Sequence, residues 1–210
     1  MGMYTLERVG IGHDAKEEVR EAVFKYSVED FFGVSEDTFR GDFMEDDGAL
    51  PMTLREFSNA LAYSFYASKI GVDIKVDFSS VLALLPRYRP YMRFPQLQLN
   101  DVDEFDSYAA QLSLLCTLVH VLSNFGELRL SEGLLPLEFA YLSDPVHVTR
   151  AVACADVHLL GELCHCLSVF GLDRDNHEPL RIGLAYLRES QLLTNGSWPT
   201  RDARVDPYSR

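Results

Sequence analysis

The sequence predicts an all-α protein whose second half is built from helical hairpins. Three observations carry that reading. Apolar residues recur at three- and four-residue spacings through most of the chain, with almost no alternation of period two. Capping residues and glycine or proline stops bracket those stretches. The second half also repeats itself at an offset of 45 residues. That is the length of a two-helix unit that buries both faces only by stacking on a neighbour.

At 210 residues and 47% hydrophobic content the chain can bury a sizeable core, as one generous domain or two small ones, without metal or disulfide support. The text divides near position 100. An N-terminal helical region, 1–100, carries an acidic loop and a Pro-rich connector, and a hairpin-repeat region, 101–210, follows, the two packed as one domain. A formal net charge of −13 at pH 7 argues against nucleic acid and anionic membrane as partners, since clustered Lys and Arg hold phosphates. The basic aromatic run from Arg87 to Phe94 can stack on bases in principle, but a short Pro-broken connector in an acidic chain reads as a packed loop. The N-terminus has no apolar signal core, and Leu6 stands where a myristoylation signal wants Ser or Thr. No run approaches about 18 apolar residues, so no membrane span is expected and a cytoplasmic location is the default.

The first helix is expected from about Asp14 to Phe32, capped by Asp14 and stopped by Gly33, with Val19, Val23, Phe24, Val28 and Phe31 on one stripe. Glu45, Asp46 and Asp47 mark a solvated loop. Thr53-Leu54-Arg55-Glu56 is a capping box that opens a helix ending at Gly71. A short helix near Ser79 to Leu85 is closed by Pro86. From Asp106 a helix apolar on nearly every side runs to Gly126 and must be buried. Helices near Leu134 to Leu142, Pro145 to Phe170 (with a break after Ala155 that Asp156 can cap) and Glu178 to Leu193 complete the chain. Cys116, Cys154, Cys164 and Cys166 all fall in apolar helical text and read as reduced core residues rather than a disulfide frame. Cys164, His165 and Cys166 point about 100° apart in a helix and cannot readily close on one ion. His13, His147 and His177 read as surface or cap residues.

The repeat spans about 106–142 and 151–187. Leu114, Leu118, His120, Phe125 and Gly126 fall on Leu159, Leu163, His165, Phe170 and Gly171, and Ala140-Tyr141-Leu142 falls on Ala185-Tyr186-Leu187. Each copy is a long helix ending in Phe-Gly, a polar connection, and a second helix. Open HEAT-like solenoids and closed α/α toroids both use such units. Gln191, Gly196, Ser197 and Trp198 then resemble the QW motif of terpenoid cyclases such as squalene-hopene cyclase and of related α/α-toroid proteins. The resemblance covers about Leu163 to Trp198, and the preceding copy more weakly, since Ser143-Asp144-Pro145 stands where its motif should come. It implies an α/α-toroid-like or partial-toroid arrangement in which Gln191, Gly196 and Trp198 are structural staples and apolar substrates occupy a helical cavity. The cyclases' Asp-x-Asp-Asp acid motif is missing. Asp101-Val102-Asp103-Glu104 is a loose echo, and no Asp-x-Cys pair suits the zinc of protein prenyltransferases. Two hairpins are too few to close a ring, so further sequence or a partner would complete one.

A polar seam runs down the apolar helix before Gly126: Asp106, Ser113, Thr117, His120 and Asn124. Its counterpart in the second copy is His158, Glu162 and His165. Those three, spaced i, i+4, i+7, together with His120, have the residue types of a divalent metal site suited to zinc or iron. A solvated face, or histidines satisfied by neighbouring hydroxyls and carboxylates, accounts for the same spacing. His120, Asp103 and Asp106 are the candidate catalytic residues. Two functions therefore stand: a terpenoid-cyclase-like protein binding an apolar small molecule, with or without metal-dependent catalysis by the His/Glu seam, or a non-catalytic helical scaffold for a protein partner.

Overall fold

The computed structural model describes residues 2–40, 50–93, 102–192 and 196–198. All regular structure among them is helical, and no helix among them is long and apolar enough to cross a membrane. The acidic residues Glu45, Asp46 and Asp47 and the end of the Arg87–Phe94 run lie outside the described residues. Two compact units divide the chain, Met1–Asn100 and Asp101–Arg210.

In the first unit, α1 (Gly2–Arg8), α2 (Ala15–Lys25), α3 (Val28–Phe32), α4 (Asp37–Arg40), α5 (Leu54–Ile70) and α6 (Phe78–Leu82) precede a 3-10 helix, Leu85–Arg93. The expected single helix from Asp14 to Phe32 is two helices. Ser27 opens α3 with its own capping box, its hydroxyl accepting from Asp30 N while Asp30 accepts from Ser27 N. That local pairing competes with continued helix. Asp14 makes no side-chain cap bond. Of the expected stripe, Val23 and Val28 are buried but Phe24 is 89% exposed. Thr53 and Glu56 form the predicted box, with Thr53 N donating to Glu56 Oε2 at 2.7 Å, and Gly71 ends α5 in the left-handed region. α5 is the core of the unit: Phe57, Ala60 and Leu61 are inaccessible to solvent. Phe57 stacks on Tyr88 with centroids 4.0 Å apart, and the Tyr88 hydroxyl donates to Met52 O, which anchors the 3-10 helix beyond Pro86.

The second unit holds α7 (Val102–Leu122), a 3-10 turn at Glu132–Leu134, α8 (Pro136–Leu142), α9 (Pro145–Ala153), α10 (Val157–Val169) and α11 (Glu178–Ser190). The stretch from Pro145 breaks where expected. Ala155 takes a positive φ of 49°, and Asp156 caps α10 by accepting from Leu159 N. α7, α8, α9 and α11 all pack on α10, burying Leu159, Leu160, Leu163, Cys164, Cys166 and Leu167. α11 lies closest at Gly183, where an added Cβ would stand 2.7 Å from Cys164 Sγ. Leu130 N donates to Val169 O at 3.1 Å, and Gly126, just past α7, lies against His165 and Val169. The C-terminal ends of α7 and α10 are therefore adjacent and the two helices run in the same sense.

Candidate functional site

Because α7 and α10 run in the same sense, their seams meet. His120 Nε2 lies 2.9 Å from His165 Nδ1, the residue 45 positions further on. The same nitrogen lies 3.7 Å from Cys166 Sγ. Behind that thiol, Cys116 on α7 hydrogen-bonds to Cys166 side chain to side chain, and Cys166 Sγ lies 3.8 Å from the Cys116 carbonyl oxygen. Both cysteines are free and inaccessible to solvent, His120 is half-buried and His165 is exposed. A row of groups thus leads from solvent to a buried dithiol.

The electrostatics of this row follow from its hydrogen bonds. The Cys166 thiol is pushed down to about 7, first by the bond from Cys116 and then by the His120 imidazole, against the opposing effect of burial. Cys116, the donor in that S–H···S bond, is held well above the ordinary thiol value. Burial alone would lower His120, but the Cys166 bond and charge and the nearby Glu162 carboxyl raise it. Burial and His120 lower His165. The contact between them therefore lowers the thiol and raises the imidazole, each group favouring the charged form of the other.

The four residues of the predicted metal group fall into two pairs. His158, at 86% side-chain exposure, pairs with Glu162 across 3.5 Å on the solvent side, while His120 and His165 pair with each other. Among the described residues no group of three or more His, Cys, Asp and Glu side chains is arranged to hold one ion. Ser113 and Thr117 are half-buried along α7. Asn124 leaves the seam, since α7 ends at Leu122 and Asn124 adopts a φ of 51° and donates to Glu127. Asp103 and Asp106 lie in the first turns of α7, with side chains outside the described residues.

Gln191 and Trp198 act locally. Gln191 Nε2 donates to Gly196 O at 2.6 Å and the Trp198 indole N–H donates to Leu187 O at 2.7 Å, so both close the C-terminal end of α11. Trp198 is 45% exposed, unlike the buried ring a staple between hairpins implies. His177 caps α11, accepting from Leu180 N. His147, expected at the surface or as a cap, is buried: Nδ1 lies 2.6 Å from the Tyr108 hydroxyl, and the ring lies against Tyr141.

A second feature escaped the sequence. In the first unit a cleft of about 430 Å³ lies among α1, α2, α3 and α5, lined by Val19, Val23, Phe31, Tyr63, Tyr66 and Ile70, among others. The one carboxylate in its wall, Asp30, already accepts from the Ser27 amide and hydroxyl, which hold its pKa down. Burial pushes the Tyr66 hydroxyl up to about 12, so it stays neutral. Comparison of the chain with protein-family models, curated proteins and solved structures finds no match.

Proposed function

We propose that this protein binds an apolar small molecule in the helical cleft of its N-terminal unit. The observation that carries the reading is the cleft itself. Its volume falls within the usual range for small-molecule sites, its wall is aliphatic and aromatic, and its polar side chains are a carboxylate already engaged and the phenols of Tyr63 and Tyr66. Such a wall rewards removal of hydrocarbon from water and offers no cationic group to an anionic ligand, while its carboxylate is already bonded to Ser27. The ligand is thus neutral and hydrocarbon-rich, the chemistry of an isoprenoid alcohol or a similar lipid-like molecule. The toroid-like reading of the second unit belongs to the same proposal. It is supported by the contact of His120 with His165 and by the adjacent ends of α7 and α10, which two stacked copies of a hairpin would bring together.

Nile red in aqueous buffer tests the proposal. One saturable site per chain is expected, competed by farnesol and weakened by Ala67→Leu, which fills the cleft floor. Unsaturable binding, or binding unchanged in a folded Ala67→Leu protein, overturns it. A second reading, a scaffold for a protein partner, is favoured by the exposed Ile182, Leu184, Leu192 and Trp198 on and after α11. It predicts that Ile182→Glu abolishes partner capture and leaves Nile red binding intact.

A further inference from the structure

We propose that Cys166 and Cys116 form a redox site, in which Cys166 reacts with a hydroperoxide and Cys116 resolves the product as a disulfide across α7 and α10. The geometry supplies each part. Cys166 has a base and acid beside it, the His120 nitrogen at 3.7 Å. Its sulfur lies 3.8 Å from the Cys116 carbonyl oxygen, with the Cys116 thiol hydrogen-bonded to it. On the other side of His120 stands the exposed His165, 2.9 Å away.

The chemistry balances in two steps. The Cys166 thiolate attacks the terminal peroxide oxygen: the S–O bond forms, the O–O bond breaks, and the departing alkoxide or hydroxide takes the proton held on His120. Sulfur is oxidised by two electrons to sulfenic acid and the hydroperoxide is reduced to an alcohol or to water. Cys116 sulfur then attacks Cys166 sulfur, the S–S bond forms, the S–O bond breaks, and hydroxide leaves with the Cys116 thiol proton as water. The lowered thiol value of Cys166 favours the first step, and the raised value of Cys116 keeps it protonated until the second.

Selectivity among the four cysteines follows from their surroundings. Cys164 is also buried, but burial pushes its thiol up to about 11. Its neighbour across the interface is the α11 backbone at Gly183. Cys154 is half-buried at the end of α9.

The test treats the reduced, folded full chain with hydrogen peroxide, alkylates it under denaturing conditions, and maps the peptides by mass spectrometry. The expected product links Cys116 to Cys166, with Cys154 and Cys164 alkylated. Cys116→Ser should stop at sulfenic acid on Cys166, trapped by dimedone, and Cys166→Ser should yield neither product. His120→Gln should slow the first step by about tenfold or more, since it removes the proton donor. A folded Cys116→Ala variant stands in should the serine prove unstable. A disulfide scrambled among the four cysteines, no oxidation of the folded chain, or dimedone labelling that survives Cys166→Ser each overturns the proposal.

Discussion

Lowering the pH from 7 to 5 should destabilise the second unit through His147. The ring is 3% exposed and lies against Tyr141, with centroids 4.4 Å apart and planes tilted by 39°, and its Nδ1 is 2.6 Å from the Tyr108 hydroxyl. Burial lowers its pKa from 6.5 to about 4, Arg150 acts in the same direction, and Asp144 opposes them. The folded value lies below the unfolded one, so between those two values the unfolded chain binds a proton that the folded chain refuses. Stability is therefore full above about 6.5, falls with pH through the window, and levels off below about 4. At about 1.36 kcal/mol per pH unit the whole window is worth about 3 kcal/mol, of which about 2 is lost by pH 5. Urea unfolding followed by the fluorescence of Trp198, the only tryptophan, reports it. His147→Phe should start less stable, by the order of 1 kcal/mol for the lost Tyr108 hydrogen bond, yet decline less between pH 7 and 5. His120 titrates in the opposite sense, its raised value favouring the folded state at low pH, but it is common to both proteins and cancels in the difference. Parallel stability curves for the two proteins across pH 5–7 would refute the burial argument.

Gly126 and Gly171 occupy equivalent places after α7 and α10, with φ of 83° and 88°. Alanine at either should cost about 1 kcal/mol in left-handed strain. A Cβ at 126 would also stand 2.7 Å from His165 Nε2, whereas at 171 its nearest neighbour is Arg129 Nη1 at 3.8 Å. Histidine NMR titrations should therefore show the His120–His165 pair disturbed in Gly126→Ala and intact in Gly171→Ala, and identical titrations would count against the pairing. Trp198→Phe should cost about 1 kcal/mol, the scale of one hydrogen bond to Leu187 O, as read by circular dichroism melting. A loss near the ~3–5 kcal/mol of a deleted core ring would mean that the indole packs far more deeply than its half-exposed position allows.

Helix ends were legible wherever a side chain bonds its own backbone. Thr53 and Glu56, Gly33, Gly71, Asp156 and His177 all act at the places their chemistry suggests, because capping is decided within about four residues of chain. The break at Ser27 follows the same rule, Ser27-Val28-Glu29-Asp30 being a box in its own right that an apolar stripe running from Val19 to Phe31 does not reveal. Periodicity says which side chains share a face. It does not say whether the helix survives a local competitor. Asp14 is the converse case: the right residue type before a helix, with no bond made.

The candidate sites divide along the same physical line. His120 and His165 were found because a repeat places equivalent residues on equivalent faces, and when two such helices run in the same sense those faces lie side by side. Cys166 is one position from His165 and was read as core, correctly as to burial. Its contact with Cys116 depends on how closely α7 and α10 approach and on their rotation about their axes, and the apolar patterning of the two helices records neither. The cleft is more remote still, since its wall is drawn from Met3 to Ile74 and its emptiness depends on four helices failing to fill the space between them. Patterning specifies what is removed from water, while close packing of particular shapes decides where a void remains. An acidic and apolar chain without a catalytic motif can therefore carry a binding site in the gaps of its core and a reactive pair at a helix interface, and both follow from packing rather than from spacing along the chain.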